Sequence, residues 1–131
     1  MLYLDASAII TYVLKRSNVA SLCAYLRDHE DAAMATSTVG LIETVRTCDR
    51  VGSFPNLMAQ LLGDYGELAV TDDIRDRAAN LPGGLKTLDA IHVATAETLG
   101  PDLITFITYD RRMANVAQSR GLPVASPGVT R

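Results

Sequence analysis

Four acidic residues stand where predicted strand ends or helices could bring them together. Asp5 directly follows the apolar N-terminal segment, and Asp110 follows the apolar residues 103–109. Glu43 and Asp89 fall within helical patterns. Clustered carboxylates repel one another and raise one another's pKa unless a cation neutralises them. Such oxygen ligands suit Mg²⁺ or Mn²⁺, which can activate a water and stabilise the departing oxygen in phosphodiester hydrolysis.

Three of these residues also have an ordinary structural interpretation. Asp5 and Asp110 could each be the N-cap of the helix that follows it. Asp89 falls in the first turn of a helix that Thr87 could cap, where a carboxylate complements the helix dipole. Four acidic residues at one edge of a sheet are nevertheless harder to explain by capping alone.

Glu43 and a nearby histidine leave alternatives open as well. Glu43 could pair with Arg46 or Arg50 on a solvated helix face. His92 lies three residues after Asp89 and could share its helix face. We interpret His92 as a core histidine or one that supports a ligand, because no second histidine is nearby to complete a metal site or act with it as a base.

Strand and helix patterns alternate along the chain, which predicts an α/β fold with a mostly parallel sheet covered on both faces. The predicted strands are Leu2–Leu4, 32–36, 66–71, 103–109 and 124–125. The predicted helices are 6–14, 19–30, about 38–51, 55–62, about 72–80, one from residue 87 that stops at Gly100-Pro101, and about 111–120. Because ligands of parallel α/β sheets bind at the carboxyl ends of the strands, the four acidic residues are expected at that edge.

The composition limits the class of protein. A chain of 131 residues with 48% apolar and 21% charged residues is the size of one domain, here residues 1–131. No apolar run approaches a membrane span, and the N-terminus lacks the basic region of a signal peptide. Cys23 and Cys48 have no metal-type spacing and predict core thiols in a reducing compartment, so we expect a cytoplasmic protein. The net charge of −3 excludes a global basic field for nucleic acid.

Four stretches resemble the PIN-domain ribonucleases, specifically the VapC toxins of bacterial toxin–antitoxin pairs. They are YLDAS at 3–7, ETVR at 43–46, LDAIHVATA at 88–96 and FITYDRRM at 106–113. The resemblance implies a PIN-like three-layer α/β/α fold and a Mg²⁺- or Mn²⁺-dependent ribonuclease held inactive by a cognate antitoxin. It further implies that Asp5, Glu43, Asp89 and Asp110 bind the metal, with Ser7 and Thr108 as supporting hydroxyls.

The chain departs from the family pattern after the last long strand. Asp110 stands where many relatives have Asn, and Met113 stands where they have a further acidic residue. Asp110 is therefore a direct ligand, an outer-sphere ligand or a cap. Arg111 and Arg112 could contact RNA phosphates at the mouth of the site, or be solvated helix residues. The apolar run 57–62 could serve a homodimer or an antitoxin helix, although core packing is the favoured interpretation.

Other functions compete with this interpretation. A catalytically degenerate PIN domain would only bind RNA or a protein. A phospho-acceptor receiver domain needs adjacent acidic residues after the first strand and a late lysine, but Asp5 stands alone and no lysine follows Lys86. A haloacid-dehalogenase-type phosphatase needs a DxD motif at the first strand, where this chain has Asp5-Ala6-Ser7.

Overall fold

The computed structural model describes residues 1–130, in which five strands alternate with seven helices. In chain order these elements are β1 (Leu2–Leu4), α1 (Ala6–Leu14), α2 (Val19–Asp28), β2 (Met34–Ser37), α3 (Thr38–Val51), α4 (Leu57–Asp64), β3 (Gly66–Leu68), α5 (Asp72–Ala79), α6 (Thr87–Glu97), β4 (Thr105–Ile107), α7 (Arg111–Ser119) and β5 (Val124–Ala125). The predicted α/β class is confirmed. None of the helices in residues 1–130 has the length and apolarity needed to cross a membrane.

The sheet is entirely parallel and has the strand order β3-β2-β1-β4-β5. β1 is central, with Tyr3 opposite Ala35 of β2 and Phe106 of β4. The carboxyl ends of β2, β1 and β4 are therefore side by side. The residues that follow these three strands all emerge at the same edge of the sheet.

Alternating side chains of β1 divide the core between the two faces of the sheet. Leu2 and Leu4 pack with apolar residues of α1, α2, α3 and α4. Tyr3, between them, packs on the opposite face with residues of α6 and α7 and with Phe106. These contacts make three layers, helices on either side of the sheet, as the resemblance implied.

Several boundaries differ from the prediction. The predicted strand 103–109 is only β4, because its neighbour β1 offers three residues for pairing. The fourth helix begins at Leu57 instead of residue 55, since Asn56 has a left-handed φ of 65°. The prediction that Thr87 caps α6 is wrong: Thr87 is the first helical residue, and Lys86 occupies the cap without a side-chain hydrogen bond.

Candidate active site

Asp5 is the most buried acidic residue of the site, with 1% of its surface exposed. It caps α1, because its Oδ1 accepts a hydrogen bond from the Ala8 amide at 3.0 Å. Burial raises the pKa of Asp5, while nearby His92 and the hydrogen bonds from its neighbours oppose the rise. The capping interpretation of Asp5 is thus correct locally, and it leaves a carboxylate at the end of the central strand.

Two hydroxyls join Asp5 to the end of β4. Ser7 Oγ donates to both carboxylate oxygens, at 2.7 and 2.9 Å, and Thr108 Oγ1 donates to Oδ2 at 2.6 Å. Each hydroxyl also accepts a hydrogen bond from a backbone amide. Ser7 Oγ accepts from Tyr109 at 2.9 Å, and Thr108 Oγ1 accepts from Asp110 at 3.0 Å. The hydroxyls therefore fix Asp5 relative to the turn between β4 and α7.

Glu43 reaches the site from the second turn of α3 and bonds to a histidine of α6. Its Oε1 lies 2.9 Å from Nε2 of His92, whose Nδ1 lies 2.7 Å from the hydroxyl of Tyr3. The alternative that Glu43 pairs with Arg46 or Arg50 is not observed, because neither guanidinium lies within ion-pair distance of its carboxylate in residues 1–130. Because α3 packs against α6, the hydrogen-bond partner of Glu43 comes from α6.

Asp89 and Asp110 complete the set from the first turn of α6 and the start of α7. Asp110 caps α7, with its Oδ1 accepting from the Met113 amide at 2.9 Å. The pKa of Asp89 is raised first by burial and next by the charge of Asp110, with smaller contributions from Glu43 and Asp5. The charges of the other three carboxylates all act on Asp89, so the four groups lie near one another.

One cavity of about 200 Å³ is shared by these side chains. Its walls include the residues Asp5, Ser7, Arg16, Glu43, Asp89, His92 and Asp110. Arg111 and Arg112 follow Asp110 directly and are exposed, but they are not part of the walls. Thr108 is fully buried behind Asp5.

The donor set can be tested for its fit to a divalent metal. Within residues 1–130, no three acidic, histidine or cysteine side chains approach closely enough to enclose an ion. Glu43 and Asp110 each direct one oxygen to a protein donor and have a second oxygen, whereas both oxygens of Asp5 accept from protein donors. Burial and, after it, the charge of Asp110 raise the pKa of Asp89, and a bound cation would offset the second of these effects. Oxygen ligands of this type and number fit Mg²⁺ or Mn²⁺.

Two residues of the site carry weak sequence signals. Tyr3 looks like one more apolar residue of β1, and only its alternation with Leu2 and Leu4 places it on the face of α6. Arg16 follows α1 after Lys15, whose left-handed φ of 54° turns the chain back toward the cavity. In the sequence, Arg16 is one of several cations in or beside predicted loops, together with Lys15 and Lys86.

Comparisons with known proteins agree with this fold. The family model described as PIN domain matches residues 2–119. Ribonuclease VapC47 of Mycobacterium tuberculosis is 33% identical over 139 aligned positions, which cover 100% of both chains. Ribonuclease VapC46 of the same species is 35% identical over 128 positions, covering 96% of this chain and 97% of the relative.

A solved structure extends the comparison to the whole fold. The crystal structure of VapC20 of M. tuberculosis, described as a toxin that cleaves the sarcin–ricin loop, superposes with a TM-score of 0.74. The match covers 97% of this chain and 100% of VapC20 at 15% identity. At that identity the likeness concerns the fold.

Proposed function

The chain belongs to the PIN domain family, and we propose that it is a Mg²⁺- or Mn²⁺-dependent endoribonuclease, the toxin of a toxin–antitoxin pair. One observation carries the proposal: Asp5, Glu43, Asp89 and Asp110 line one cavity at the carboxyl ends of adjacent strands. The names of the full-length relatives, which describe ribonucleases, support the same activity.

Asp5, Glu43 and Asp89 would hold the metal, and Asp110 would hold it directly or through water. When bound, the ion lowers the pKa of a water and neutralises charge on the phosphodiester. Ser7 and Thr108 keep Asp5 in one orientation through their hydrogen bonds. Because four carboxylates line the cavity, a bound cation would offset their repulsion of a phosphate.

Cationic side chains around the cavity would bind the RNA backbone. Arg16 is part of the cavity wall and exposed. A larger groove of about 630 Å³ shares Glu43 with the cavity and contains Arg46 and Arg50, one helical turn apart. Contacts of this kind position a nucleic acid without reading its sequence. Arg111 is exposed beside the cavity and, with Arg112, would add to the same field.

We infer that residues 1–131 form one PIN domain and that the protein is cytoplasmic. We also infer that it binds a cognate protein antitoxin and forms a homodimer. The run 57–62 contributes mainly to the core, because Leu57 and Leu61 are buried, while Leu62 remains 48% exposed. Leu62 is therefore a large apolar side chain of that run that is available to a partner.

The test is cleavage of total RNA by the purified chain, freed of any antitoxin, with Mg²⁺, with Mn²⁺ and with EDTA. Asp5→Asn keeps the size of the side chain and an oxygen that can cap α1, but removes the charge. Asp28→Asn is the matched control, since Asp28 is an exposed residue at the end of α2. Both variants are checked for folding by thermal unfolding.

We expect metal-dependent cleavage by the wild type and by Asp28→Asn, and its loss in Asp5→Asn. Cleavage that persists in EDTA would refute metal dependence. If the folded wild type cleaves no RNA with either metal, the alternative is a degenerate PIN domain that binds RNA or a protein. The bonds that engage Glu43 and Asp110 with protein donors are the observation that favours that alternative.

A further inference from the structure

A buried series of hydrogen bonds, Tyr3–His92–Glu43, connects the central strand to Glu43. The hydroxyl of Tyr3 lies 2.7 Å from Nδ1 of His92, and Nε2 of His92 lies 2.9 Å from Oε1 of Glu43. Tyr3 has no exposed surface and His92 has 1%, whereas the Glu43 side chain is 28% exposed at the cavity. The series of hydrogen bonds thus begins in the core and ends on a carboxylate at the cavity wall.

The chemistry of the two ends sets the direction of these hydrogen bonds. The Glu43 carboxylate accepts, so Nε2 of His92 must carry the hydrogen. In a neutral imidazole Nδ1 then has a lone pair, which accepts from the Tyr3 hydroxyl. The phenol of Tyr3 is uncharged at neutral pH and has a hydrogen to donate. The Tyr3 hydroxyl and the Nε2–H of His92 each have an acceptor in this series.

Packing leaves the two rings little freedom to move. The ring of Tyr3 stacks on Phe106, with centroids 5.4 Å apart and planes at 6°. A Cβ at Gly40 would lie 3.0 Å from Cε1 of His92, so the histidine ring rests against the backbone of α3. The orientation of His92 is therefore held from both the strand and the helix.

We propose that Tyr3 and His92 are positioning residues that hold Oε1 of Glu43 and so aim its other oxygen, Oε2, into the cavity. This inference rests on the proposed function, in which Glu43 is a metal-binding carboxylate. Bonds that orient a ligating carboxylate typically change metal affinity or activity by about 10–100-fold when they are removed. Tyr3 would act through His92, and His92 through Glu43.

The experiment compares Tyr3→Phe with Tyr25→Phe in the full chain. Tyr3→Phe keeps the ring that stacks on Phe106 and removes only the hydroxyl. Tyr25→Phe is the matched control, because its hydroxyl bonds to Thr105 Oγ1 at 2.7 Å, away from the cavity walls. Three quantities are measured: the ¹⁵N shifts of the His92 ring, Mn²⁺ affinity by calorimetry, and kcat and KM for RNA cleavage.

We expect Tyr3→Phe to lower the share of the Nε2–H tautomer of His92 and to weaken Mn²⁺ binding by about 10-fold. The loss in cleavage should fall on kcat at subsaturating Mn²⁺, with KM for RNA changed less than twofold. Tyr25→Phe should match the wild type in all three quantities. His92→Leu should weaken Mn²⁺ binding further, and His92→Gln, which retains an N–H donor, should recover part of the loss.

An unchanged tautomer and an unchanged Mn²⁺ affinity in folded Tyr3→Phe would overturn the inference. So would equal losses in Tyr3→Phe and Tyr25→Phe, which would indicate a general effect on stability. If the wild type binds Mn²⁺ but cleaves no RNA, the proposed function fails while the calorimetry still tests the positioning role. If the wild type does not bind Mn²⁺, both proposals fail.

Discussion

Replacing Thr108 by Val should destabilise the metal-free protein more than the loss of a single neutral hydrogen bond does. The change preserves the shape of a fully buried side chain. It removes the hydroxyl that donates to Asp5 Oδ2 at 2.6 Å and accepts from the Asp110 amide at 3.0 Å. Thr108 is thus the link between the buried carboxylate and the first residue of the turn into α7.

The magnitude follows from the two lost partners. A hydrogen bond to a charged group contributes about 1.5–3 kcal/mol, and the unpaired amide of the half-buried Asp110 adds about 1 kcal/mol. We therefore expect a loss of about 2.5–4 kcal/mol in the free energy of unfolding. For a chain of this length that corresponds to a fall in Tm of roughly 10 °C.

Thr105→Val, three residues earlier in β4, provides the matched control. Its hydroxyl bonds to the neutral hydroxyl of Tyr25 at 2.7 Å, so its loss should cost only about 1 kcal/mol. The assay is urea unfolding of both variants and the wild type in EDTA at neutral pH, followed by circular dichroism. An equal cost for Thr105→Val and Thr108→Val would refute the assignment of a charge-assisted bond to Asp5.

The difference between the variants should also depend on pH. Burial raises the pKa of Asp5 above its ordinary 3.8, so the folded state binds its proton more tightly than the unfolded state. Stability of the metal-free protein therefore falls as the pH rises from about 3.8 through the raised pKa. The bond from Thr108 lowers that pKa, so its removal extends the fall to higher pH. The cost of Thr108→Val should shrink in acid.

Three further predictions concern the carboxylates and the glycine beside them. Asp89→Asn should stabilise the metal-free protein at neutral pH, by less than about 1 kcal/mol given its partial exposure, and abolish Mn²⁺ binding; urea unfolding and calorimetry measure the two effects. Mn²⁺ at 100 times its Kd should raise the free energy of unfolding of the wild type by about 2.7 kcal/mol and leave that of Asp5→Asn unchanged. An equal rise in both proteins would contradict the assignment of the metal to this cavity. Gly40→Ala should cost about 1–3 kcal/mol and weaken Mn²⁺ binding, because its Cβ would lie 2.4 Å from Thr36 Oγ1 and 3.0 Å from His92; unchanged thermal stability would refute this.

The sequence predicted the elements that depend on local patterns. Leu2–Leu4 and Ala6–Leu14 were predicted with the bounds that the structure has, because an apolar run followed by a capping Asp5 is a local signal. The end of β4 was not predictable in this way. Residues 103–109 are all suited to a strand, but pairing is set by the three residues of β1, which a local pattern does not contain.

The same distinction applies to the candidate site. Acidic residues after strands and within the first two turns of helices identified four carboxylates, and the parallel order explains why they share one edge. The orientation of each carboxylate depends on contacts between residues far apart in the chain. Thr108 is 103 residues from Asp5, and His92 is 49 residues from Glu43.

The sequence by itself thus determined the α/β alternation, the parallel sheet and the residue types gathered at its edge, because periodicity and chain order are local properties. Only the tertiary structure decided which protein donors each carboxylate meets: both oxygens of Asp5 accept from protein groups, whereas Glu43 bonds to His92 through Oε1. Glu43 turns to His92 and not to Arg46 because the sheet places α6 against α3. A hydrogen bond forms with the donor that packing brings within reach, and packing is a property of the whole fold.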